Sequence, residues 1–220
     1  MYTTILSIIF ILVAIAFIAL PYYLWIENTK KRSKVLAGWA SSRNWSFNKF
    51  PLDSVQLRQQ VNAGSFFNIV EGDIDERKIR VFDCQLVAGN NKKIEQSYSV
   101  VVLDTGMSLK PLFIRTEKFL DKMTDFVWLN DIDFESTEFS EKFYVKATDS
   151  KWAYDVLSPD AIEFLLESPR FNLDFRDKYI VAYRSFRLLK IADFEDAIKV
   201  VTGIFDRLPA SLVQELKVVK

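Results

Sequence analysis

The sequence predicts an α+β protein: one N-terminal transmembrane helix followed by a mainly antiparallel sheet packed with helices. Three observations lead there. No charged side chain occurs from Met1 to Ile26; residues 66–115 fall into Val-, Ile- and Phe-rich runs broken by short polar turns; and Ala197, Ile198, Val201, Ile204, Phe205 and Leu208 recur at the helical repeat. Together they divide the chain into an anchor at 1–27, a juxtamembrane helix and connector at 28–64, and an α+β domain at 65–220.

The first segment is apolar on every side, as a lipid-facing helix must be. At about 1.5 Å of rise per residue it is long enough for the roughly 30 Å hydrocarbon layer. Tyr22, Tyr23 and Trp25 follow Pro21, where amphipathic rings favour the headgroup layer, and Tyr2 brackets the other end. A cleaved leader would need a basic start and a small-residue site after the apolar run, and the segment has neither. Lys30, Lys31, Arg32 and Lys34, opposed only by Glu27, then place the C-terminal flank in the cytoplasm by the positive-inside bias. The cluster reads as a topology signal; capture of anionic lipid headgroups is the other chemistry open to it. The expected location is the inner membrane, single-pass, with the N-terminus outside and the domain cytoplasmic.

Beyond the anchor, Val35, Leu36, Trp39 and Ala40 keep helical spacing to about Arg43. Pro51 to Gly64 reads as a connector with a short helix around Val55 to Val61. Strands are expected at Phe66–Glu71, Lys78–Val87, Ser97–Leu103 and Pro111–Arg115. Turns are expected at Asp73–Arg77, at Gly89-Asn90-Asn91 and at Thr105-Gly106. A helix follows around Glu117 to Phe126. Asp131, Asp133 and Glu135 then alternate with Ile132 and Phe134, so an extended segment shows one acidic and one buried face. Phe143 to Ala147 is a further strand. Asp149 or Ser150 caps a helix bearing Trp152 and Val156, and Ser158-Pro159-Asp160 opens another. Phe171 to Arg176 and Tyr179 to Phe186 read as a hairpin about Asp177-Lys178. Asp193 caps the last helix, which Pro209 ends.

Composition removes several functions. Lys plus Arg and Asp plus Glu each total 29, so no one-signed field favours nucleic acid. There is no His, which excludes the Ser-His-Asp and Cys-His nucleophile systems and the usual zinc ligand sets. The one Cys, Cys84, can form no intrachain disulfide and reads as a small buried hydrophobe. Six Gly include no phosphate-cradling loop. Asp131, Asp133 and Glu135 fail the calcium-loop pattern, because Ser136 stands at the sixth position and Lys142 at the twelfth. Asp83, inside Val81-Phe82-Asp83-Cys84, is an acid within an apolar strand; it reads as an outward-facing or bulged position partnered by a nearby Arg or Lys, with a raised pKa and a proton-transfer role as the alternative. No catalytic residue, metal ligand or cofactor is assigned.

Residues Leu36-Ala37-Gly38-Trp39-Ala40-Ser41-Ser42-Arg43-Asn44-Trp45-Ser46-Phe47, residues 133–145, Ala147-Thr148-Asp149 and Trp152 to Pro159 together resemble a family of bacterial single-span membrane-anchored proteins. Asn44 stands where that family often has Gly. The resemblance implies a bacterial, single-span protein with an α+β domain and carries no activity or site residue with it. The expected role is a binding or scaffolding module at the membrane, partnered by the lipid bilayer and by another membrane protein. The runner-up is a carboxylate-dependent enzyme acting on a lipid or cell-envelope intermediate.

Overall fold

A computed structural model describes residues 2–51, 53, 57–58, 60–61, 63–88, 93–116, 130–184 and 187–218. The organising element is β4 (Lys93–Arg115), a strand of 23 residues. One of its edges carries β7 (Asn172–Tyr183) from Val100 to Ile114. The other is shared by β3 (Arg77–Ala88) and, further along, β6 (Tyr144–Ala147). Beyond β3 lie β2 (Ser65–Ile74) and β1 (Ser46–Asn48), and beyond β6 lies β5 (Asn130–Ile132), giving a seven-stranded sheet. Every pairing is antiparallel.

Alternation along these strands gives the sheet two apolar faces. Val81, Val101, Leu103, Leu112 and Ile114 face a large core, which the helices complete. Phe82, Cys84, Val100, Val102 and Val181 face the other side, where Leu57, Val61 and Ala63 of the connector cover them. The helices of the larger core are α2 (Thr137–Lys142), α3 (Ser150–Val156), α4 (Pro159–Glu167), α5 (Ile191–Asp206), α6 (Ala210–Val218) and the end of α1 (Tyr2–Ser42).

Local capping chemistry sets several boundaries. Ser136, Asp149 and Ser158 accept from the backbone N–H of Phe139, Trp152 and Ala161, and Pro159 opens α4, where its missing N–H costs nothing. The expected stripe of α5 is buried at Ala197, Ile198, Val201 and Ile204. Asp193 is not its cap but its third residue, where it accepts from the Lys190 backbone N–H at 3.1 Å.

Two expected turns are bulges. Thr105-Gly106 does not separate two strands, and Asp177-Lys178 does not close a hairpin. Both lie inside β4 and β7, opposite each other, where the register slips between Asp104↔Tyr179 and Leu109↔Asp177. Gly106 and Asp177 there have φ of +66° and +49°. Thr105 Oγ1 lies 3.0 Å from the Lys178 carbonyl, and Lys178 Nζ pairs with Asp104 at 3.0 Å. Residues favouring left-handed backbone serve a bulge as readily as a turn. The turn expected between β2 and β3 does form, with Asp75 and Glu76 both at positive φ.

The helix expected near 117–126 and the turn at 89–91 lie outside the described residues. Of the connector helix, Leu57, Arg58 and Gln60 are helical. The α+β class with a mainly antiparallel sheet is the observed one. Among the described residues no helix is long and apolar enough to cross a membrane. The side chains at 2–9, 11–14, 18 and 25 lie outside the described set. The backbone of α1 nevertheless runs as one helix of 41 residues, through Pro21 and through the boundary expected at 27–28.

Candidate functional site: the seat of the N-terminal helix

Val81 and Asp83 share the face of β3 that turns toward α1, while Phe82 and Cys84 occupy the opposite core. Asp83 is fully buried, and a buried carboxylate is costly unless it is paired and hydrogen-bonded. Four donors surround it. Its Oδ2 accepts from Arg32 Nε at 2.7 Å and Asn68 Nδ2 at 2.9 Å; its Oδ1 accepts from Arg32 Nη2 at 2.7 Å and Ser99 Oγ at 2.5 Å. The Arg32 pair is the two-pronged arrangement that a planar guanidinium favours.

Asn68 reaches this carboxylate because β2 carries an extra residue there. The register slips between Phe67 and Val70, and Asn68 adopts φ +55°. Its Oδ1 lies 2.7 Å from Ser33 Oγ on α1. Arg32 Nη1 also donates to the Leu189 carbonyl at 3.0 Å, and the Leu189 N–H donates to Ser99 Oγ at 3.0 Å. One helix, two strands and the segment before α5 therefore meet at a single carboxylate whose acceptor positions are filled. Asp83 is positioned to hold α1, not to move protons.

A second lock lies about two to three turns further along α1. Trp39 Nε1 donates to Glu195 Oε1 at 2.7 Å, and Arg43 Nε donates to the same oxygen at 3.0 Å while its Nη2 pairs with Oε2. Trp39 stacks on Phe194 with ring centroids 5.7 Å apart, and Arg43 lies over the Trp45 ring at 4.9 Å. Asn44 turns the chain between them at φ +56°, a conformation that Gly adopts without strain. Trp45 in turn lies so close to Gly72 that a Cβ there would fall 2.1 Å from the ring.

The residues expected at the membrane interface separate into two groups. Tyr22, Tyr23, Lys30, Lys31 and Lys34 are exposed, and the Trp25 side chain lies outside the described set. Arg32 is set apart from the other members of the basic flank, because the folded domain takes its side chain inward. Asp131, Asp133 and Glu135 are exposed, with Asp131 paired to Lys146 at 3.3 Å. Tyr144, beside Asp131, has its hydroxyl pushed up to about 12, by desolvation first and the Asp131 hydrogen bond second. Burial likewise pushes the Cys84 thiol up to about 12, which removes it as a nucleophile at neutral pH. Among the described residues no three His, Cys, Asp or Glu gather as a metal site.

Two adjoining clefts flank the β2–β3 end of the sheet. One, of about 210 Å³, has Gln60, Glu71, Asp104 and Tyr179 in its walls; the other, of about 260 Å³, has Asn48, Pro51, Leu57 and Ile69, and both share Glu71, Lys78 and Arg80. Of the acids in their walls, Glu71 pairs with Arg80 and Asp104 with Lys178, and Asp73 and Asp53 stand beside them. Sequence reasoning flagged Asp83 from its apolar surroundings but missed Asn68, Ser99 and Glu195, which carry no local signal for a partner so distant in the chain.

No family model matches the chain, and no curated protein matches it. Among solved structures, the chain is similar to the crystal structure of the mycobacterial trehalose monomycolate transport factor A, TtfA. The TM-score is 0.60 at 14% identity, covering 80% of this chain and 96% of that one. The likeness is one of fold.

Proposed function

We propose that this chain is a single-span membrane protein whose α+β domain, on the cytoplasmic face, binds or scaffolds another membrane component, in the service of cell-envelope lipid handling. The observation that carries it is the unbroken course of α1 from its charge-free stretch to the Asp83 seat. Phe10 and Phe17, three-quarters or more exposed, stand clear of the domain. The sequence of this stretch carries no charge from Met1 to Ile26, and a bilayer is the solvent that suits such a helix. The lipid-handling part rests on the shared fold with a transport factor. A tether of this kind confines the domain to two dimensions and raises its effective concentration toward a membrane partner.

The test uses full-length protein with a C-terminal tag in its native membranes. Retention in the membrane after alkaline washing, a tag shielded from protease in intact cells, and one reproducible protein after cross-linking are the expected results. Release by alkali or cleavage of the tag from outside would overturn the tether, and recovery of the chain alone would overturn the scaffold. What favours binding over a carboxylate-dependent enzyme is that Asp83 is held by Arg32 and that the Asp131 group lines neither cleft.

A further inference from the structure

Arg32 leaves the basic flank, and the fold replaces it from far along the chain. Its bond to the Leu189 carbonyl brings residues 187–190 against α1 at the level of the flank, across 157 positions of sequence. Arg187, Leu188 and Lys190 are exposed there, as are Lys30, Lys31 and Lys34. Successive helical residues turn by about 100°, so Lys30, Lys31 and Lys34 point to the sides of α1 that Arg32 does not use. Arg187 and Lys190 stand on Arg32's own side.

We propose that Lys30, Lys31, Lys34, Arg187 and Lys190 form a basic collar around the exit of α1, and that this collar, with Leu188, rests on anionic lipid headgroups. The inference rests on the tether reading. Lys30 and Lys34 lie about 6 and 12 Å beyond Ile26 along the helix, or roughly one and one and a half screening lengths at physiological salt. Among the described residues of the two segments, 26–34 and 187–193, five such cations stand with two acids, Glu27 and Asp193, and Asp193 is already shared by Arg184 and Arg187. That number falls within the range typical of anionic-lipid clusters, which the α1 residues without Arg32 do not reach. The collar fixes the orientation of the domain, because it contacts the bilayer on the side where α5 begins.

The test places an environment-sensitive dye on Leu188→Cys in the full chain, Cys84 being buried. The labelled chain is reconstituted into vesicles of phosphatidylcholine alone or mixed with phosphatidylglycerol. A blue-shifted emission, quenched by lipid-borne nitroxide, is expected only in the mixed vesicles. It should fall at least fivefold in Arg187→Gln/Lys190→Gln, following the contribution typical of each surface cation, and also at high salt. Equal emission in both vesicles, or an unchanged signal in that double variant, would overturn the collar. A variant with Lys30, Lys31 and Lys34 all changed to Gln should show the same loss without a change in unfolding midpoint; an unaltered signal there would equally overturn it. A chain that fails to float with phosphatidylcholine vesicles would overturn the tether and the collar together, whereas flotation with an unresponsive dye overturns the collar alone.

Discussion

The carboxylate of Asp83 sits where an unpaired charge would be untenable, and Arg32 neutralises it with two hydrogen bonds. Arg32→Gln should therefore cost about 3–5 kcal/mol, the range for removing one partner of a buried pair, read from denaturant unfolding. Arg32→Met with Asp83→Leu should recover only part of that loss, since it removes the buried charge but leaves Asn68 Nδ2, Ser99 Oγ and the Leu189 carbonyl without these partners. Cys84, one position along, reports on the opposite core. Burial raises its thiol from the ordinary 9.0 to about 12, so the folded form holds its proton more tightly than the unfolded form. The resulting stability is complete below pH 9 and is lost as pH rises from there toward 12. In the folded protein at pH 8 the thiol should resist a disulfide-exchange reagent and react only on addition of denaturant.

At the scale of elements, the facing bulges of β4 and β7 bend the two long strands together. Gly106 has open space around an added Cβ but a positive φ, so conformation and not volume limits substitution. Gly106→Ala should destabilise by about 1–2 kcal/mol and Gly106→Asn by less, because Asn tolerates the left-handed region; paired chemical denaturation curves would show the difference. The same locus explains where the sequence was misleading. Gly, Asp and Thr mark a departure from regular extension without saying whether the chain reverses there, and only the pairing partner decides. Caps were legible because their chemistry is local: Asp149, Ser158 and Pro159 act within three residues. The short helices α2 and α6 were not anticipated. Nor could Asn68 or Glu195 be matched to partners 15 and 156 positions away.

For the molecule as a whole, α1 is both the proposed tether and a member of the core. A domain hung on a flexible linker would swivel; here Leu36, Trp39 and Ala40 are buried in the main core, and the two locks prevent rotation about the helix. Inserting two alanines between Ile26 and Glu27 would keep the helix and turn the domain by about 200° relative to the bilayer segment. The expected outcome is an unchanged unfolding midpoint with loss of the native cross-linked partner; retention of that partner would show that azimuth does not matter. Four alanines return the azimuth to within about 40° and should restore part of the cross-link.

Arg32 is made 51 residues before Asp83 and 157 before Leu189. During synthesis, therefore, Arg32 emerges beside Lys30, Lys31 and Lys34 while every acceptor that will later claim it is still unmade. Domains fold after their last element emerges, and this seat needs the start of α5. On the proposed tether, the same guanidinium serves two successive employers: orientation of the growing polypeptide first, then permanent fastening of the finished one.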